Sequence, residues 1–242
     1  MIKIFRNLRK NTFMKGRKTQ YLLYAIGEIV LVMIGILLAL QVNNWNEKRK
    51  VKGQLNTTLK AITADLKADT LVSAQIIRFY DSVNKYSQMY AKGQITKTNI
   101  DSFPICRSLV TIYRPMTMQK KGFNLLQNYS EFTNSSSDSL LTDLSQFYAA
   151  YDAIITNNND MVKSEVLENL NHFKKQPWFV DWSQGKLNNP MRTFFGESVD
   201  YKNRVVGNNI LATSNHQAVL KQYRQDAISL LELIDQRLNA EN

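Results

Sequence analysis

The longest uninterrupted pattern along the chain is apolar. Tyr21–Val42 reads YLLYAIGEIVLVMIGILLALQV, and 13 of these 22 residues are Leu, Ile or Val. At ~1.5 Å per residue a helix of that length reaches about 33 Å, against a hydrocarbon core of about 30 Å. At roughly −0.3 to −0.6 kcal/mol each, the branched residues favour insertion by about 4–8 kcal/mol. Glu28 opposes this, but one acid costs about 2.5–3.5 kcal/mol even at mid-membrane, and it lies off-centre. Tyr21 and Tyr24 on one side and Trp45 on the other suit the two aromatic belts. The run exceeds the about 7–15 apolar residues of a signal peptide, and Leu37-Leu38-Ala39 matches a small-x-small cleavage site poorly. The segment therefore reads as an uncleaved transmembrane anchor.

Beyond it the apolar positions become periodic. Val51, Leu55, Leu59, Ile62 and Leu66, then Val72, Ile76, Phe79, Val83, Tyr86 and Tyr90, fall at steps of three and four, with Asp69 as a break. The spacing predicts that the membrane helix continues to Lys92, with Gly93 as its stop and Gly53 as a hinge. Met116–Tyr129 reads as a short helix, and Asn134–Ser139 as a polar loop whose Ser and Asp residues cap the next helix. A second stripe runs Leu141, Leu144, Tyr148, Tyr151, Ile155, Val162, Val166, Leu170 and Phe173, with a kink expected at Asn157–Asn159. Residues 176–196, rich in Pro, Gly and aromatics, read as loop. A last helix is expected from Ser214, in a capping box with Gln217, to Leu238. No alternating strand pattern appears. The fold class is all-α: a transmembrane helix over 21–42 continuing into an extracytoplasmic antiparallel helical bundle over 43–242, after a basic cytoplasmic segment over 1–20.

Charge sharpens the topology. The net charge is +11, but residues 1–60 hold 12 Lys/Arg against 2 Asp/Glu, while the rest of the chain is near balance at 19 against 18. The excess lies beside the apolar segment, where basic residues face anionic headgroups and set orientation, and leaves no electrostatic footprint for nucleic acid. Residues 1–20 carry seven Lys/Arg and no acid; Asn43–Lys60 carries five. This bias places the N-terminus in the cytoplasm and the C-terminal part across the membrane, against the pull of Lys48, Arg49, Lys50 and Lys52.

Few residues suggest chemistry. Cys106 is the sole cysteine, so no internal disulfide or cysteine-based zinc site is available, and it reads as a small buried hydrophobe. His172 and His216 are the only histidines, far apart and without a ligand pattern, and read as surface or half-buried residues. Asp65/Asp69 and Glu165/Glu168 read as solvated helix faces. Pro177–Trp182 reads as a plug for one end of the bundle rather than a docking tip. Asn56-Thr57-Thr58, Asn128-Tyr129-Ser130 and Asn134-Ser135-Ser136 match the glycosylation triplet, a pattern that also arises by chance. No phosphate loop, nucleophile elbow or paired-histidine motif is present, which argues against an enzyme and against any cofactor or metal. The sharpest candidate is a helix-association face: Glu28 shares one side of the anchor with Gly35 and Ala39, a small-xxx-small pair that lets helices approach closely. Glu28 either pairs with a partner helix there or reaches back to the cytoplasmic interface.

The block from Tyr24-Ala25-Ile26-Gly27-Glu28-Ile29-Val30-Leu31-Val32, followed by Gly35 through Glu47 (GILLALQVNNWNE), resembles the N-terminus of a family of small bacterial membrane proteins known only as a domain of unknown function. The resemblance is specific over about the first 50 residues and looser beyond, where Lys121-Gly122-Phe123-Asn124-Leu125 fits it. It implies a bacterial envelope protein and supplies no activity, cofactor or catalytic residue. The expected function is thus a membrane-anchored, non-enzymatic envelope protein. Its partners are the lipid bilayer and either further copies of itself, as a homo-oligomer, or an unidentified envelope protein. The alternative is a ligand-sensing helical module that signals through a separate partner.

Overall fold

A computed structural model describes residues 18–133 and 138–240. The basic segment falls mostly outside them, as do Asn134–Ser137 of the polar loop. Among the described residues every regular element is helical. These are α1 (Lys18–Ala91), α2 (Lys121–Thr133), α3 (Ser139–Lys174), α4 (Phe179–Ser183), α5 (Asn189–Glu197), α6 (Val199–Asn209), a π-helical segment (Ile210–Gln217) and α7 (Ala218–Ala240). Short 3₁₀ turns cover Ile100–Ser102 and Pro104–Arg107. Two compact units divide after Gln54: residues up to Gln54, and Leu55–Asn242. Gly53 lies inside α1, within two residues of that division.

In the first unit, α1 is long and apolar enough to cross a membrane, and none of its apolar window is buried against protein. In the second unit α1 becomes amphipathic. Its buried stripe runs Leu55, Leu59, Ile62, Leu66, Asp69, Ser73, Ile76, Tyr80, Val83, Ser87 and Tyr90, alternating steps of four and three without a gap. The expected break at Asp69 is therefore a correction. The geometric stripe passes through Asp69 and Ser73, while Val72, expected inside, is exposed. The helix closes where expected: Gly93 takes φ 68°, its N–H donates to Tyr90 O (3.0 Å), and Gln94 N–H donates to Met89 O (2.9 Å). This left-handed closure satisfies carbonyls that a helix end leaves open.

Helix α2 starts at Lys121, five residues later than its spacing suggests. Met116 and Met118 are buried from a non-helical strap, and the Met116 peptide is held by Asn159, whose Oδ1 accepts from Met116 N and whose Nδ2 donates to Met116 O (3.1 and 2.6 Å). Asp138 caps α3, its Oδ1 accepting from Leu140 N at 3.1 Å. Asn157–Asn159 do not interrupt α3; Asn158 returns its amide to Ile154 O within the helix. The expected loop over 176–196 contains α4 and α5. Asn188 caps α5 by accepting from Met191 N, with Pro190 in its first turn. Ser214 starts no helix. It lies mid-course in the helical path from Val199 to Ala240, and Gln217 instead donates across to Ile77 O (2.9 Å) and Asp81 Oδ1 (2.7 Å) on α1.

The core of the second unit draws on all of its long helices. Helix α3 packs against α2, α6, α7 and the π segment. One end of the core is aromatic: Phe173 meets Trp178, Trp182, Phe194 and Phe195 at centroid distances of 5.2–5.8 Å, mostly edge-to-face. The Pro177–Trp182 cluster thus packs inward through Trp178 and Trp182, with Val180 left exposed.

Candidate functional site

Glu28, Gly35 and Ala39 are all exposed on the apolar part of α1. At about 100° per residue Gly35 and Ala39 fall roughly 20° to either side of Glu28, and no non-local atom lies within 4 Å of where a Cβ on Gly35 would sit. The three therefore form an unobstructed strip: a carboxyl at one end and a shallow groove behind it. Chemically, the strip offers packing to a second helix and one hydrogen-bonding group.

Of the acids expected to be solvated, Glu168 is exposed and Glu165 half-buried, while Asp65 and Asp69 are instead central. Asp65 and Asp69 are buried, at 8% and 1% exposure. Asp65 Oδ2 accepts from Gly122 N (2.6 Å), capping the start of α2 from another helix. Asp69 Oδ2 accepts from Gln119 N (3.0 Å) and from Tyr223 Oη (2.9 Å) on α7. Burial raises the Asp69 carboxyl above its usual range, its two donors draw it back, and Asp65 adds to the rise. Tyr148, stacked on Phe123 at 4.8 Å, is buried beside these acids; its burial, and then their charge, push its phenol up. The interruption of the apolar stripe is the signal in the sequence: an acid at a core position is a buried acid with partners to be found.

The strap from Gln94 to Lys120 is tied down by side chains from the helices around it. Tyr80 Oη accepts from Arg114 N (3.0 Å), Trp182 Nε1 donates to Arg107 O (3.0 Å), and Asn208 Nδ2 donates to Leu109 O (3.1 Å). Tyr90 and Tyr201 donate to Cys106 O. The Cys106 thiol itself is fully buried, and burial pushes it up to about 12, so it is the inert hydrophobe the sequence suggests. His216 departs from expectation in being fully buried, against Tyr80 and 3.2 Å from Arg114 O through Nε2. Burial holds its imidazole below the ordinary range.

His172 borders a shallow, open cleft of about 430 Å³ with Glu168, Asn171, Lys175 and Arg204. Arg204 donates to His172 Nδ1 (3.1 Å), Asn169 Oδ1 (2.9 Å) and Asp200 Oδ2 (3.0 Å). Because a guanidinium only donates, His172 Nδ1 accepts, and its Nε2–H faces Asp200 Oδ2 at 3.3 Å. These groups satisfy one another and join α3 to α6. A second cleft of about 400 Å³ is flanked by Pro177, Trp178, Pro190 and Phe194. No cluster of three metal-ligating side chains occurs among the described residues. The triplets at Asn56 and Asn128 lie within α1 and α2 rather than in loops.

Among known proteins, the family described as a family of unknown function (DUF6090) matches residues 28–206, well past the first 50 residues that carry the resemblance. No curated protein and no solved structure matches the chain.

Proposed function

The chain belongs to the DUF6090 family of unknown function, and from that premise we propose that it is a non-enzymatic protein of the bacterial envelope, anchored by its apolar helix and acting through association of that helix. The N-terminus lies in the cytoplasm and the helical domain on the far side of the membrane, following the seven-to-five basic bias of the flanks. The observation that carries the reading is the contrast between an interior and a surface. Aromatic rings and side chain–backbone hydrogen bonds fill the core of the helical domain, and its best clefts are shallow. The anchor helix, by contrast, presents apolar surface with no protein over it. Ligand sensing wants an enclosed polar chamber; association wants an unpartnered face.

Two measurements test this. A reporter active only outside the cytoplasm, fused after Asn242, is expected to be active, and activity of a cytoplasmic reporter alone at that position overturns the orientation. Crosslinking in native membranes and mass spectrometry of the products are expected to join anchor to anchor, or anchor to a second membrane protein. Monomer alone at full crosslinking efficiency contradicts association.

A further inference from the structure

The basic residues that oppose the topology have an arrangement of their own. Lys48, Arg49, Lys50 and Lys52 are all exposed on α1, immediately beyond Trp45, which is 65% exposed. At ~1.5 Å rise they lie roughly 4–11 Å along the helix past Trp45, the depth of a headgroup layer when the indole sits in the interfacial belt. Around the helix axis they point at about 0°, 100°, 200° and 40° relative to Lys48, at ~100° per residue. They therefore span about 200° of the circumference, a partial collar that leaves roughly 160° without a basic residue. Glu47 is the single acid among them and meets Lys50 at 3.1 Å, leaving a net of three positive charges over residues 47–52.

We propose that residues 48–52 form a binding collar for anionic phospholipid in the leaflet on the Trp45 side, so that the anchor gathers a phosphatidylglycerol-type shell around itself. The proposal rests on the membrane-anchored reading, and on the long-range attraction of basic juxtamembrane residues for anionic surfaces. It also gives these charges a role despite their working against the orientation.

Trp45 supplies a local readout. The full chain is reconstituted in vesicles of phosphatidylcholine with a minority of phosphatidylglycerol. Bromine quencher is placed near the headgroup end of the acyl chains of either the phosphatidylglycerol or an equal amount of the phosphatidylcholine. Trp178 and Trp182 are the only other tryptophans, and a Trp45→Phe variant measures their background. Brominated phosphatidylglycerol is expected to quench the Trp45 component at least about twofold more than brominated phosphatidylcholine, with the difference disappearing at high salt. The variant Lys48→Gln/Arg49→Gln/Lys50→Gln/Lys52→Gln is expected to equalise the two lipids. Glutamine keeps helix propensity, and losing these charges reinforces the original orientation. Lys15→Gln/Arg17→Gln/Lys18→Gln, on the other flank, is expected to leave the preference intact. Equal quenching in the wild type overturns the collar while leaving the anchor in place. A preference that survives the four collar substitutions overturns its assignment to these residues. If neither lipid quenches Trp45, the membrane-anchored reading fails and the collar with it.

Discussion

Through one carboxylate oxygen, Asp69 holds the strap at Gln119 and helix α7 at Tyr223. Asp69→Ala leaves a buried phenol and a part-buried N–H without this acceptor, at about 1–3 kcal/mol for the phenol and less for the N–H, so a loss of roughly 2–4 kcal/mol is expected in denaturant unfolding. Asp69→Asn keeps an acceptor in place and removes the buried charge, and is expected to cost less than about 1 kcal/mol. Equal damage from both substitutions would show that the charge, not the acceptor, matters. Two buried groups give opposite pH signatures. The lowered pKa of folded His216 means that the unfolded chain takes the proton first as pH falls. Its contribution is complete above the ordinary histidine value of about 6.5, and is lost as pH drops from there to the folded value. The raised pKa of folded Asp69 means that the folded chain takes that proton first, so acidification through the range above 3.8 adds stability. His216→Gln is therefore expected to flatten the fall in unfolding midpoint just below neutral pH. An unchanged slope would remove His216 as its source.

Helices α1 and α2 meet at a single glycine. A Cβ on Gly122 would fall 2.5 Å from Ile62 N and 2.6 Å from Ile62 Cα, backbone atoms that no rotamer change can move. Gly122→Ala is expected to destabilise by about 2 kcal/mol or more, in contrast to the gain glycine-to-alanine gives in an open helix. A melting temperature at or above wild type would show that the helices separate freely. The same scale shows what is legible in the sequence. The course of α1 is readable because three-and-four apolar spacing resumes after Asp69 and runs on to Gly93, the left-handed stop. Its face misleads at one place, because an acid reads as a solvent signal while Asp69 occupies a core position. The start of α2 reads too early because Met116 and Met118 are buried from an extended strap, where burial carries no helical period. Helix α5 is hidden in a stretch rich in Pro and aromatics, although Asn188 and Pro190 form an ordinary start signal. The π segment over Ile210–Gln217 leaves no mark in composition. It moves the last helical path out of phase with any single stripe, which makes Ser214 look like a beginning. Of the candidate residues, Cys106 and the inward-packing tryptophans are readable; the acceptor roles of Asp65 and Asp69 depend on Gly122 of α2 and Gln119 of the strap, 57 and 50 residues away in the chain.

At the scale of the molecule, the chain divides into two compact units, and the proposal assigns them different roles. Asn43–Asn242 without the apolar segment is expected to give a helix-dominated circular dichroism spectrum and a melt independent of reductant, since one cysteine forms no internal bridge. A strand-rich spectrum would contradict the fold. The anchor is the unit to which association is assigned, and there the weights of its parts can be separated. Interhelical hydrogen bonds in membranes average only ~0.6 kcal/mol, so on the proposed reading Glu28 alone would not drive pairing, and packing along the groove at Gly35 and Ala39 would have to supply most of it. The most direct test is energy transfer in membranes between copies of the full chain labelled after Asn242, and between copies of residues 1–52. Transfer above a monomeric control is expected in both, reduced more by Gly35→Ile, which fills the groove, than by Glu28→Gln, which keeps a hydrogen-bonding group. Wild-type transfer no higher than the monomeric control, or transfer untouched by Gly35→Ile, would contradict association through this face.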